Sequence, residues 1–429
     1  MLKKYTLLFL VFLVFSGGDL LAQVKSPFSG DFSEFRTELT SFMGPNLNDE
    51  QKASLEAFLV KWDSTVYNKE NKVKIIDIIS QLYGRFMRPV PHFNNFVITL
   101  NKFIEWKTDP KFLSNWLTGL SEIVFDPRYP SENIDRYIKN TGLMITDNII
   151  SDISGMQWKV KNSKLSFLHD TVFKAIINNA TLTCYSQKDS SEIYNVSGTY
   201  FPEFQQFHGT SGRVTWEKAG YSADEVYADL GNFFINTAKN SFTADSVLLT
   251  HKTYFETPIE GFLSEQTVPI TNPARANFPR FETYTKSFRL ENIYEGINYT
   301  GGLAFEGSTV KGSGGDNLSA ELTFHRNDTL YLKIKSGEFL FTRDGLASGE
   351  VSMSLYLDKD SIFHSNLGFS FNASEQQVNL FRANNPVSKS PYFDSFHRLD
   401  MYFELLSWNM KESKVLLSRA KGAALGQAE

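Results

Sequence analysis

The chain has 429 residues, 43 Lys and Arg against 48 Asp and Glu, a formal charge of −5 and 41 % hydrophobic residues. That composition describes a folded chain and excludes a disordered one. Mild acidity with no basic tract argues against nucleic acid as a partner, because such binding depends on clustered Lys and Arg.

Lys3 and Lys4 precede an apolar run from Tyr5 to Phe15, which Ser16, Gly17 and Gly18 break before Leu20-Leu21-Ala22. This is the layout of a secretory signal peptide over residues 1–22, with Ala22 as the small residue before cleavage. The run falls short of the roughly 20 apolar residues of a membrane-spanning helix. No later run approaches that length, so an exported protein is expected in the periplasm, at the outer membrane or at the cell surface. The 38 Phe and 18 Tyr tilt the composition toward strands.

Residues 23–154 read as a helical domain. Leu55, Phe58, Leu59 and Trp62 recur at helical spacing after Asn48 and Gln51, a capping-box pair. Ile75, Ile79, Leu82 and Phe86 form the next stripe, ending before Pro89 and Pro91. Phe96, Leu100 and Phe103 form another. Asp109-Pro110 supplies a cap and a first-turn proline for Leu113, Trp116, Leu117, Leu120 and Val124. Ile134, Tyr137 and Ile138 follow Ser131. One-sided stripes on short connections predict a bundle.

Near residue 155 the period changes to two, and residues 155–429 read as a β-rich domain, a roll, sandwich or solenoid. VSMSLYL (351–357), LYLKI (330–334), EFLF (338–341), LGFSF (367–371) and QVNLF (377–381) alternate between turn-prone groups. The segment 221–234 fits either a strand or a short helix capped by its acidic start. Asp170, Asp245, Asp328 and Asp360 each precede a hydroxyl residue and apolar residues; turn closure at the start of a strand explains this better than a repeated ligand site. The fold class is therefore α+β, a helical bundle followed by a large all-β region. The carboxyl end, KVLLSRAKGAALGQAE (414–429), opens as a strand and offers no cap, as expected of a chain truncated there.

No catalytic, cofactor or metal constellation is legible. Cys184 lies in an alternating run and reads as a buried strand residue. The seven histidines lack the HExxH spacing. Gly301 to Asp316 lacks the phosphate-loop order and reads as a hairpin with turns at Gly301-Gly302 and Gly312–Gly315. His208 to Gly212 lacks the G-x-S-x-G elbow and reads as a turn. Glu256, Glu260, Glu291 and Glu295 lie among aromatic residues, as carboxylates of a sugar cleft do.

Two segments pair a polar start with an apolar stretch closing on glycine: Asp189-Ser190 leading to IYNVSG (193–198), and SFTADSVLLTH (241–251) leading to PIEG (258–261). They resemble the repeats of the OstA-like β-jellyroll family of lipopolysaccharide-transport bridges. The resemblance implies an open β-roll whose apolar interior shields lipid chains and carries over no binding residues; a conduit in this chain needs an open groove lined by residues such as Phe242, Val247, Leu249 and Ile259. Three functions follow as expectations. The first is an exported, non-catalytic envelope scaffold or binding protein. The second is a lipid or glycolipid conduit, and the third an enzyme acting on polysaccharide. Expected partners are envelope components: glycolipid, polysaccharide or another envelope protein.

Overall fold

The computed structural model describes residues 26–106, 110–170, 172–255, 257–315, 318–342, 344–357, 360–382 and 389–419. The expected signal peptide, Asp109, Thr171, Glu256, residues 358–359 and the last ten residues lie outside these ranges. The fold is α+β, in two compact units that divide between Gly142 and Leu143.

The helices are α1 (Phe35–Met43), α2 (Asp49–Asp63), α3 (Lys69–Gly84), α4 (Asn94–Glu105), α5 (Pro110–Phe125) and α6 (Ser131–Asp147). The capping box forms: Asn48 Oδ1 accepts from the Gln51 amide at 2.9 Å and Gln51 Oε1 from the Asn48 amide at 3.0 Å. The stripes of α2, α4 and α5 are buried throughout. They meet through aromatic rings, Trp62 with Phe35 at 4.2 Å and Trp116 with Phe103 at 5.0 Å between centroids. Arg85 donates to Val124 O, a carbonyl that α5 leaves open at its end, and to Asp126 O and Tyr129 O in the connection that follows. Phe86 departs from its expected stripe and is 78 % exposed. Helix α3 has already ended at Gly84, and Phe86 has a left-handed φ of 58°, so helical phase no longer aims it inward. No helix among the described residues is long and apolar enough to cross a membrane.

Strands begin earlier than the expected boundary at 155. Asn148 turns the chain through a left-handed φ of 56° directly after α6. Strand β1 (Ile149–Ile153) then pairs with β2 (Met156–Lys161). The helical part therefore ends at Asp147, not at residue 154. IISDI hides this because Ile149, Ile150 and Ser151 are all buried, leaving no alternation.

The remaining strands are all antiparallel. They are β3 (Ser166–His169), β4 (Phe173–Ser186), β5 (Asp189–Phe201), β6 (Gln206–Thr215), β7 (Val226–Leu230) and β8 (Phe233–Asn236), then β9 (Ser241–His251), β10 (Ile259–Gln266), β11 (Arg280–Thr283) and β12 (Phe288–Tyr294). After them come β13 (Ile297–Glu306), β14 (Thr309–Ser313), β15 (Ala320–Arg326), β16 (Thr329–Ser336), β17 (Glu338–Thr342), β18 (Gly345–Leu357) and β19 (Asp360–Asn372). The last are β20 (Gln377–Phe381), β21 (Tyr392–Asp394), β22 (Leu399–Met401), β23 (Leu405–Asn409) and β24 (Val415–Ser418). Residues 221–234 thus hold β7 and β8 and no α-helix.

The long strands change partners midway. Strand β4 pairs with β3 through its first half and β2 through its second, and β6 does the same with β8 and β7. Register slips at the changes, at bulges built on left-handed residues such as Asn179, Asn195, Ser246 and Asn292. Asp245 lies beside one of these bulges and does not start a strand. It sits in mid-β9 before the bulged Ser246, where its carboxylate accepts from the Tyr284 hydroxyl.

The sheet folds over on itself. Phe324 on β15 and Phe369 on β19 lie three strands apart in the sheet, about 14 Å if it were flat. Their centroids are 6.2 Å apart. His251 on β9 and Phe305 on β13 are likewise three strands apart and 5.4 Å apart. One face is therefore enclosed and filled by aromatic side chains.

Two glycine-rich segments expected as turns are strand. Gly301 and Gly302 lie within β13, and the hairpin turns instead at Gly307-Ser308. A Cβ at Gly301 would lie 2.2 Å from the Tyr299 hydroxyl, which donates to Gly302 O at 2.6 Å. His208 to Gly212 lies within β6, where a Cβ at Gly209 would lie 2.2 Å from the Phe233 ring. These glycines make room for rings laid across the sheet.

Candidate functional site

Phe242, Val247, Leu249 and Ile259 all point inward and are between 0 and 6 % exposed; Phe242 and Val247, five residues apart, share that face because the bulge at Ser246 shifts the pleat between them. Leu249 pairs with Ile259 and Val247 with Gly261, while the Phe242 ring meets Phe233 at 6.0 Å. Side chains lining an open groove face solvent; these four are packed.

Of the glutamates expected among aromatics, three lie within the described residues, and each is exposed. Glu260 is exposed on β10, Glu291 pairs with Arg289 at 3.2 Å, and Glu295 accepts from Gln376 at 2.8 Å. Asp360, by contrast, belongs to a trio with Asp394 and His397 whose ligand atoms lie within 4.8 Å of one another. Those atoms are engaged in holding a turn. Asp360 Oδ1 accepts from the Ser361 amide, the Ser395 hydroxyl and the Phe396 amide, and Asp394 Oδ1 from the Phe396 and His397 amides.

His251 is 2 % exposed at the end of β9. Tyr254, Phe305 and Tyr221 surround it at 4.5, 5.4 and 5.6 Å. Neither ring nitrogen has a hydrogen-bond partner among the described residues. Burial in this apolar cage pushes its pKa down to about 4.

The most organised polar site is a cleft of ≈180 Å³ where β5 and β6 part. Their register ends at Tyr194 opposite Arg213, so the first residues of β5 have β4 on one side only. The chain leaves β6 through a short turn, Glu217–Ala219, that forms one wall. Glu265 of β10 lies at the bottom, with Ser191, Glu192, Tyr194, Thr215 and Lys218 around it.

Glu265 occupies an inward position of its strand, in phase with Ile259 and Leu263, and is 6 % exposed. Its Oε1 accepts from the Ser191 hydroxyl at 2.9 Å, and its Oε2 has no donor among the described residues. Burial raises its pKa to about 7, against the opposing pull of Ser191 and Lys218. The other carboxylates are better served. Burial raises Glu192, but Lys161 at 2.7 Å and Tyr194 at 2.8 Å outweigh it and hold the carboxyl below its usual range. Asp189 is held low in the same way by Lys218 at 2.8 Å and by the Ser190 and Ile270 amides. The single Tyr194 proton goes to Glu192 at 2.8 Å over Glu217 at 3.5 Å, so Glu217 receives the Thr215 hydroxyl at 2.9 Å.

Two of the four carboxylates are therefore matched by lysines, and two, Glu217 and Glu265, are not. A carboxyl that titrates near neutrality beside ionised ones can bind a cation, donate a hydrogen bond or exchange a proton. Cys184 lies beneath, opposite Ser191 in register, and burial pushes its thiol up to about 11, which keeps it protonated and inert. Glu265 is absent from the glutamates singled out by aromatic neighbours. The signal that marks it is different: a charged residue on the apolar phase of an alternating strand. Neither a protein-family model, nor a curated protein, nor a solved structure matches this chain.

Proposed function

We propose that the protein is an exported scaffold or binding protein of the cell envelope that works through its surface, with a closed interior. The filled inner face of β9 and β10 carries this reading. Val247 and Leu249 are fully buried, and Phe242 and Ile259 nearly so. A conduit for acyl chains needs those positions open. The export half of the reading rests on the charged start, apolar run and small-residue end of residues 1–22. N-terminal sequencing of the envelope fraction should find Gln23 first, and an intact residue 1–22 segment would refute cleavage.

Val247→Asp tests the closed interior. In a packed core the substitution buries an uncompensated carboxylate and costs several kcal/mol. The variant should lose its cooperative melting transition, and the parent protein should not bind an acyl-chain probe. A folded, soluble Val247→Asp variant, together with a parent that binds the probe, would establish the conduit instead.

A further inference from the structure

We propose that the cleft at Glu265 binds a hydroxyl-rich ligand bearing one primary ammonium, the size of a single amino-sugar unit. The first ground is charge. Lys161 answers Glu192 and Lys218 answers Asp189, while neither Glu217, served by the Thr215 hydroxyl, nor Glu265, served by the Ser191 hydroxyl and the Gln266 amide, has a cation of its own. A buried carboxylate oxygen without a donor is costly unless something supplies one. Glu265 Oε2 is such an oxygen, closed off from solvent on a residue that lines the cleft.

The second ground is the shape of the donor set. Among the described residues, no three carboxylates of the cleft bring ligating atoms within 4.8 Å of one another, as Asp360, Asp394 and His397 do. The carboxylates are spread around a space larger than one ion. The hydroxyl-bearing residues Ser190, Ser191, Thr215 and Tyr194 line the same cleft. A bare metal ion uses few of these groups, whereas an ammonium carried on a hydroxylated ring uses most of them. The ≈180 Å³ volume admits one small ring and lies well below the ~300 Å³ at the lower end for drug-sized ligands.

The third ground is that a cation would resolve the state of Glu265. The groups facing it are Ser191 and Asp189 from β5, Cys184 from β4 and Lys218 from the adjoining turn. None of them neutralises it fully, since Lys218 is committed to Asp189. An ammonium favours the ionised carboxylate, so binding should release a proton from Glu265 and tighten as the pH rises toward 7, the range in which the ligand's own amine stays protonated.

This inference builds on the reading of the protein as a binding protein, but its test is independent of the interior. An acyl-chain probe reports on the core, and amino-sugar titration reports on the cleft. The titration uses full-length mature protein with D-glucosamine, D-glucose and butylamine at pH 5, 6 and 7, by calorimetry, below the roughly 7.7–8.0 at which an amine beside electron-withdrawing carbons loses its proton. Glucosamine should bind about tenfold or more tightly than either partial probe, the scale of one charge-assisted hydrogen bond. Glu265→Gln keeps the size and the Ser191 contact, and Glu217→Gln lies at the exposed rim. Each should weaken glucosamine about tenfold; Glu217→Gln should leave the melting curve unchanged, Glu265→Gln should melt no lower than the parent because it removes a buried charge, and Glu265→Gln should also abolish the pH dependence. Glucose binding as well as glucosamine would show that the carboxylates do not select a cation. Butylamine binding as well would show that the hydroxyls play no part. Either result, or no binding of glucosamine to the folded protein, would overturn the proposal.

Discussion

The caged His251 sets a pH dependence of stability that can be worked out in advance. Its pKa in the folded protein is about 4, while an exposed histidine has about 6.5. Between those values the unfolded chain takes up a proton that the folded chain refuses. Stability from this residue is thus complete above pH 6.5 and is lost as pH falls toward 4. At about 1.4 kcal/mol for each pH unit, the loss is roughly 2.5 kcal/mol at pH 4.5 and levels off near 3.4 kcal/mol below pH 4. His251→Phe suits the aromatic cage of Tyr254, Phe305 and Tyr221 and removes the titration. Urea unfolding of parent and variant at pH 7.5 and 4.5 gives the double difference, in which every other titrating group cancels. The variant should gain on the parent by roughly 2.5 kcal/mol between the two pH values. Parallel stability curves for the two proteins would show that His251 is protonated in the fold, and the aromatic cage would not control it.

Other consequences are as open to test. Gly209→Ala places a methyl group 2.2 Å from the Phe233 ring and should cost about 1–3 kcal/mol in urea unfolding, less when combined with Phe233→Leu. Asp360→Asn retains the acceptor that serves Ser361, Ser395 and Phe396 and should stay within about 0.5 kcal/mol of the parent, whereas Asp360→Leu should lose roughly 2 kcal/mol. A melting temperature that rises with calcium in the parent, but not in Asp360→Asn, would turn this locked turn into a cation site.

The helical unit was legible because its helices bury one stripe each. Leu55, Phe58, Leu59 and Trp62 are all core, and the Asn48–Gln51 box closes as its spacing predicts. The miss at Phe86 came from extending the period past the helix end, where backbone dihedrals, not periodicity, set direction. In the sheet, alternation correctly placed Val351, Met353, Leu355 and the buried Cys184, but Leu357 at the strand end is 38 % exposed, and the inward set of β9 needs the bulge at Ser246 as well, because Phe242 and Val247 lie five residues apart. Glycine misled twice. At Gly209 and Gly301 it serves a neighbouring ring across the sheet, a relation that no single strand contains. Bulges such as Asn179 and Ser246 also escape, because a left-handed residue inside a strand carries the same letters as one in a turn. Glu265 was visible in phase, but its significance depends on Ser191 and Lys218, which sequence holds 74 and 47 positions away.

The pairing of the strands has a consequence for how the protein comes into being. Among the described residues, every strand pairs with strands at most three places away in chain order, as β14 does with β17 and β20 with β23. No strand waits for a distant one to arrive. Closing short loops costs little entropy, and neighbours in sequence meet first. The sheet can therefore grow in order as the chain emerges, each new hairpin docking on the one before it. The same locality lets such a protein lengthen or shorten by whole hairpins over evolutionary time, leaving earlier pairings undisturbed.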